Sequence, residues 1–212
     1  MPIYLDHNAT TPIAPGVLDA MLPFLREQYG NPSSSYALGR TAKDAVATAR
    51  SHVAALIGAK PDEIIFTSGG TEANNIAIRG SIEPNGSKRS IITSTVEHPA
   101  TDEPCDLLAQ EGYAVHRIKV GGDGRIDIDE ARRTIRNGVG LVTMIYAQNE
   151  TGALQPVAEI AAAAREHGAL MHIDAAQAVG KIAVDVRALG IDLLSIAGHK
   201  LYAPKGIGVL YV

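Results

Sequence analysis

The sequence predicts an α/β protein in which a mostly parallel sheet carries helices on both faces. Three observations lead there. Short runs rich in β-branched residues recur along the chain, and stretches with helical spacing separate most of them. No internal repeat, low-complexity tract or Pro/Ser-rich linker interrupts the alternation. Strands joined through crossover helices pair in parallel, and such a sheet needs cover on both sides.

In chain order, residues 1–14 read as an N-terminal arm and 15–212 as one domain. Ala14-Pro15-Gly16 opens the first helical stretch, because proline fits the first turn of a helix, and Gly30-Asn31-Pro32 ends it. A second helix is expected from about 36 to 57. Val46, Ala49, Val53 and Leu56 form its apolar face, and Gly58 is its C-terminal stop. The β-rich run 63–67 follows, and Ser68-Gly69-Gly70-Thr71 leads from it into another helix. Further strands are expected at 90–94, 113–120, 139–147, 169–174, 191–196 and 206–212. The clearest intervening helix is 157–167, where Val157, Ile160, Ala161 and Ala164 line one face.

Composition excludes several classes of function. The 212 residues carry 19 basic and 23 acidic side chains, a net charge of −4, with 46% apolar residues. Such a chain buries a core and is not disordered. Only 4% of residues are aromatic and none is Trp, which argues against a basic, stacking nucleic-acid groove. The single cysteine makes neither an internal disulfide nor a multi-thiolate metal site, so no metal is expected. No apolar run approaches the roughly 20 residues that span a bilayer, and the start Met1-Pro2-Ile3-Tyr4-Leu5-Asp6 has no signal-peptide pattern. A cytoplasmic enzyme is the expectation, with a small-molecule substrate and neither nucleic acid nor membrane as partner.

In a parallel sheet, ligands bind beyond the carboxyl ends of the strands. After the strand at 63–67, Gly69-Gly70-Thr71 at a helix start forms an anion cradle of free N–H groups; the alternative is a glycine turn with Thr71 as helix cap. The segment matches neither common nucleotide-phosphate pattern. After 169–173 come Asp174 and, three residues on, Gln177. Asp174 reads either as a helix cap or as a carboxylate that keeps a heterocyclic nitrogen protonated, with Gln177 donating to a neighbouring oxygen. After 191–196 comes Gly198-His199-Lys200. A lysine at the ligand end of a buried strand is a candidate Schiff-base amine, its pKa lowered by burial and nearby positive charge. An aldehyde cofactor with a phosphate and a pyridinium ring would use all three elements together.

The chain also resembles the N-terminal part of the cysteine desulfurase and selenocysteine lyase family, within the class V aminotransferase group of pyridoxal-phosphate enzymes. The matching blocks are Tyr4-Leu5-Asp6-His7-Asn8-Ala9-Thr10-Thr11-Pro12, Gly30-Asn31-Pro32-Ser33-Ser34, Phe66-Thr67-Ser68-Gly69-Gly70-Thr71-Glu72-Ala73-Asn74-Asn75 and Glu97-His98. They continue through Asn149-Glu150-Thr151-Gly152, His172-Ile173-Asp174-Ala175-Ala176-Gln177, Gly198-His199-Lys200 and Pro204-Lys205-Gly206-Ile207-Gly208. The resemblance implies that Lys200 holds pyridoxal 5'-phosphate as a Schiff base, and that Asp174 pairs with the pyridine nitrogen. It implies that Gln177 and Asn149 bond the ring oxygen, and that Gly70, Thr71 and His199 hold the phosphate. His98 would stack on the ring and shuttle protons; read from its sequence alone, it is equally a polar turn residue at a helix start.

The implied reaction removes sulfur from L-cysteine to give L-alanine and an enzyme persulfide, or acts on L-selenocysteine. A homodimer and sulfur-acceptor proteins are implied as partners. Two departures stand out. Many members have a serine at the position of Ala197, a change that hints at the selenocysteine lyase branch. Members also continue into the rest of the large domain and a small C-terminal domain, which supply a persulfide-forming cysteine and a substrate-binding arginine. The chain is therefore expected to be the cofactor-binding portion only. Another class V enzyme, or a non-catalytic protein that binds the cofactor, remains an alternative. Cys105, among acidic neighbours on a helix, is expected to pack as a small apolar residue rather than act as a thiolate.

Overall fold

The computed structural model describes residues 3–82 and 90–212. Met1 and Pro2, where the expected arm and leaderless start begin, lie outside the described residues. Among the described residues, seven strands form one sheet, in the order β1-β7-β6-β5-β4-β2-β3. They are β1 (Ile64–Thr67), β2 (Ser90–Ser94), β3 (Ala114–Ile118), β4 (Val139–Ile145), β5 (Leu170–Asp174), β6 (Leu193–Ala197) and β7 (Gly208–Tyr211). The helices are α1 (Pro15–Arg26), α2 (Ala37–Leu56), α3 (Gly70–Gly80), α4 (Pro99–Gln110), α5 (Ile128–Thr134), α6 (Val157–Glu166) and α7 (Val186–Leu189).

The sheet is mostly parallel, as expected, with one reversal. β2, β3, β4, β5 and β6 pair in parallel, while β7 runs antiparallel to both β6 and β1. Gly208, at the start of β7, lies where Gly69 crosses it. A Cβ at Gly208 would meet the Gly69 carbonyl carbon at 2.4 Å, so only glycine lets the β1–α3 turn close over the reversed strand.

Register places alternate residues of the central strands on opposite faces. Val142, Met144, Met171, Ile173, Leu194 and Ile196 point into the larger core with Val157, Ile160, Ala161 and Ala164 of α6, the face expected for that helix. The other face is covered by α3 and α4, whose Ala73, Ala77, Ile78, Cys105 and Leu108 pack on Leu141 and Leu193.

Three expectations are corrected. The strands are shorter than the apolar runs that suggested them: 113–120 contracts to Ala114–Ile118 and 191–196 becomes Leu193–Ala197. Ile191 is buried, but it sits in the turn that follows the left-handed Gly190 at the end of α7. Of the apolar face assigned to the second helix only Val53 packs against the core. Gly39, Ala42 and Ala54 are buried, whereas Ala49 is exposed, Val46 is 38% exposed and Leu56 is 51% exposed. Its main contacts are with β1 and the short turn Pro61–Glu63, so only its C-terminal end reaches the core. Periodicity reveals a face but not what covers it. None of α1 is buried either. Among the described residues, no helix is long and apolar enough to cross a membrane.

Candidate active site

A cavity of about 560 Å³ lies beyond the carboxyl ends of β1, β2, β4, β5 and β6. All eight residues singled out from the sequence line it: Gly70, Thr71, His98, Asn149, Asp174, Gln177, His199 and Lys200.

Each wall arises locally. β1 ends at Thr67, whose hydroxyl donates to the Gly69 carbonyl at 3.0 Å, and α3 starts immediately after. Gly69 is the N-cap and provides no side-chain cap, so Thr71 lies within the first turn rather than capping it. The first-turn N–H groups therefore face the cavity side with the positive end of the helix dipole. The Ser68 N–H turns instead to Glu72, at 2.5 Å.

His98 is the N-cap of α4, and its Nδ1 accepts the Ala100 N–H at 3.1 Å. The turn role and the cavity position thus coexist, and a neutral His98 ring carries its proton on Nε2. Asn149 sits in the loop after β4; its Nδ2 donates to Glu150 at 2.9 Å. β5 ends at Asp174, which is buried. No helix follows, so the cap alternative survives only as a turn bond from the Ala176 N–H to Oδ1 at 3.0 Å. The other oxygen accepts from Nδ2 of Asn74 at 2.7 Å.

His199 and Lys200 occupy a single 3-10 turn after β6. Burial lowers the pKa of Lys200, and the nearby Lys181 charge lowers it further. His199 is lowered by burial and by the charges of Lys200 and Lys205. The Lys200 amine donates to the Asn8 and Ala9 carbonyls. Gln177 is held at both ends of its amide: Nε2 donates to the Asn8 carbonyl at 2.9 Å, and Lys181 donates to Oε1.

Reasoning residue by residue missed three contributors. The first is the segment around Asn8, whose backbone meets Lys200, Gln177 and, through its amide, the Asn149 carbonyl at 3.2 Å. Only its match to a family block marked it. The second is Asn74, one turn into α3. The signal was available, since asparagine is a poor choice inside a helix and lies four residues after Gly70 on the same face. The third is the layer beneath the cavity. His172 is buried, with Nδ1 2.7 Å from Thr143 Oγ1 and Nε2 3.0 Å from Ser195 Oγ. Burial pushes it down to about 3, so the ring is neutral. Ser195 is thereby committed to His172. Glu97, whose carboxyl is buried against the Ser94 hydroxyl at 2.5 Å, is pushed up to about 8 by that burial, with the Asp174 and Asp102 charges adding to it.

Cys105 is fully buried and pushed up to about 12. Burial is the main cause; Glu97, Asp102 and Asp106 add to it, and Arg117 opposes it. The expectation had put the acidic neighbours first. Among the described residues, no cluster of three or more His, Cys, Asp or Glu side chains could hold a metal.

Comparison with known proteins gives a consistent picture. The family profile "Aminotransferase class-V" matches residues 3–212. A cysteine desulfurase of Trichormus azollae is 50% identical over 210 residues, which cover 99% of this chain and 52% of that protein. The cysteine desulfurase IscS of Dictyoglomus turgidum is 46% identical over 211 residues, covering 99% and 54%. Among solved structures, a NifS-like protein superposes with a TM-score of 0.97 at 36% identity, covering all of this chain and 59% of its own. SspA in complex with cysteine gives 0.96 at 39% identity, covering 100% and 61%. The chain spans about half the length of the curated relatives it matches.

Proposed function

The chain belongs to the class-V aminotransferase family, and from that premise we propose that it is the cofactor-binding part of a pyridoxal-phosphate-dependent cysteine desulfurase. The reaction takes sulfur from L-cysteine and leaves L-alanine and a persulfide. One observation carries the reading: a single cavity collects an amine of lowered pKa (Lys200), a buried carboxylate (Asp174) and the open start of α3.

The donor set suits the cofactor. Among the described residues nothing lies within 4 Å of where a Cβ of Gly69 would be, which leaves room at the helix start for a phosphate on the Gly70 and Thr71 N–H groups, with His199 beside it. Asp174 offers the acceptor that a protonated pyridine nitrogen requires. When bound, pyridoxal phosphate supplies an aldehyde for an amine to condense with and a ring that withdraws electrons from the substrate Cα. Lys200 provides that amine, and its lowered pKa enlarges the neutral, nucleophilic fraction. His98 has Nε2 available to hold or pass a proton at the cavity rim, because Nδ1 is occupied by Ala100. Lys181 and the Asn8 carbonyl fix the Gln177 amide, whose second Nε2 hydrogen suits an anionic ring oxygen, and Asn149 lines the same cavity.

Cys105, buried and about 12 in pKa, is not the thiolate that takes the sulfur. Selenocysteine lyase is not favoured. The relatives above carry the desulfurase name, and Ala197 has a packing role: its Cβ lies 3.2 Å from where a Cβ of Gly70 would sit. Homodimerisation and transfer of sulfur to acceptor proteins belong to the same proposal. The test is borohydride reduction of cofactor-loaded protein, followed by peptide mapping and by assay of alanine from L-cysteine in the full-length enzyme. Label on Lys200 with alanine formation supports the reading. Label elsewhere, or keto-acid formation in place of alanine, overturns it.

A further inference from the structure

Asn74 has no part in the chemistry above, yet it makes the shortest side-chain bond to Asp174. We propose that Asn74 is a positioning residue whose amide holds the Asp174 carboxylate in the orientation that meets the pyridine nitrogen; the inference rests on the cofactor reading. Asn74 is 1% exposed and lines the cavity wall. Its Nδ2 donates one hydrogen to Asp174 Oδ2 at 2.7 Å and the other to Thr101 Oγ1 at 3.2 Å. Both hydrogens of the amide are spent.

Its own carbonyl oxygen, Oδ1, is buried and has no hydrogen-bond partner among the described residues. Turning the amide over would not relieve this. It would set Oδ1 against the carboxylate, acceptor facing acceptor, and strand the NH2 group. Ala73, Ala77 and Ile78 around it are buried in an apolar cluster, and an apolar side chain there would remove the unmet Oδ1 but take from the buried Asp174 Oδ2 its donor. What the asparagine provides is a second donor on Asp174. With Ala176 N–H on Oδ1 and Asn74 on Oδ2, both carboxylate oxygens are held, so rotation about the Cβ–Cγ bond is blocked. The two donors come from α3 and from the turn after β5. Because α3 also carries Gly70 and Thr71, the anion cradle and the carboxylate keep a fixed spacing. Thr101, on α4, braces the amide from the far side.

The test uses full-length protein reconstituted with pyridoxal 5'-phosphate and three variants: Asn74→Ala, Asn74→Ser and Thr101→Val. Cofactor dissociation is measured by titration, the cofactor's visible band is followed against pH, and Tm is recorded without cofactor. Asn74→Ala is expected to raise the cofactor Kd about 10–100-fold, the cost typical of losing a group that orients a ligand-binding side chain. The pH midpoint of the visible band should also move upward, a change that a fall in the Tm of cofactor-free protein would not by itself produce. Thr101→Val should move Kd and midpoint in the same direction by less. A role in packing alone would lower Tm and leave the midpoint in place, and that result overturns the inference. If Asn74→Ala does not fold, parental Kd and midpoint in Asn74→Ser and Thr101→Val overturn it equally. Parental protein with neither a visible band nor label on Lys200 would overturn the cofactor reading and this inference with it. A normal parental band with unmoved variants overturns only the role of Asn74.

Discussion

The two faces of the central strands make opposite use of the same backbone. On the α6 side, Val142, Met144, Met171, Ile173, Leu194 and Ile196 are apolar and buried. On the α3 side, the intervening residues Thr143, His172, Asp174 and Ser195 are equally buried but polar. Asp174 and Ile173 are neighbours in sequence, yet one lines a cavity and the other fills a core. The difference teaches where this domain invests in stability and where it spends it on chemistry. Burying a polar group costs free energy unless it is hydrogen-bonded, and the α3 side still leaves Asn74 Oδ1 and Thr93 Oγ1 without partners among the described residues.

The largest expected effect removes the chemistry of the polar side outright. Lys200→Ala should abolish borohydride-fixed label at that position and bring alanine formation to background, with far-UV circular dichroism unchanged. Residual label at another lysine would show that the cavity does not carry the reactive amine.

The second prediction concerns pH. His172 is pushed from the ordinary 6.5 to about 3 by burial, so the unfolded chain takes up a proton that the folded chain refuses. Stability is therefore full above about 6.5 and is lost as pH falls from there toward 3. The upper bound on the loss is about 5 kcal/mol, from the roughly 1.4 kcal/mol carried by each pH unit of such a gap. Urea titrations across this window should show that steep fall in the parent and a shallower one in His172→Gln. Equal slopes would mean that the buried ring is not what titrates.

A paired substitution sharpens the contrast between the faces. Ile173→Ala should destabilise by about 2–5 kcal/mol through the lost burial and the cavity left behind, with cofactor affinity nearly unchanged. Asp174→Asn should do the reverse, weakening cofactor binding on the order of 100-fold while Tm stays level or rises. Chemical denaturation and cofactor titration of both variants measure the two effects. Comparable losses of stability from both would erase the distinction.

The smallest effect is expected at Cys105, on the packed part of the α3 side. Cys105→Ala should cost about 1 kcal/mol and leave alanine formation unaltered. The native thiol should resist alkylation at neutral pH, since burial holds it up to about 12. Persulfide recovered on Cys105 after cysteine treatment would contradict its assignment to the core.

Much of the fold is written locally. β2 appears at Ser90–Ser94, the limits its β-branched run suggests, and the buried face of α6 is the one its spacing indicates. The Gly69-Gly70 turn, the carboxylate at the end of β5 and the lysine after β6 are visible for the same reason. Strand alternation, helical period and glycine punctuation act over a few residues, and strand ends in a parallel sheet share one side.

The reversal of β7 between β1 and β6 has no such local signature, because strand direction depends on which edge the chain returns to. The uncovered face of α2 is likewise invisible to periodicity, which reports amphipathic character and not a partner. Asn74 and Asp174 lie 100 residues apart, and nothing near either one announces the other. The pairing of His172 with Ser195, and the fall of its pKa, follow from register across β5 and β6 and from the exclusion of water beneath the cavity. Residue type and spacing alone therefore determined where the chemistry-bearing groups stand along the chain. Which of them touch, and how strongly each holds its proton, depended on long-range packing, because contact and desolvation exist only once distant segments have closed on one another.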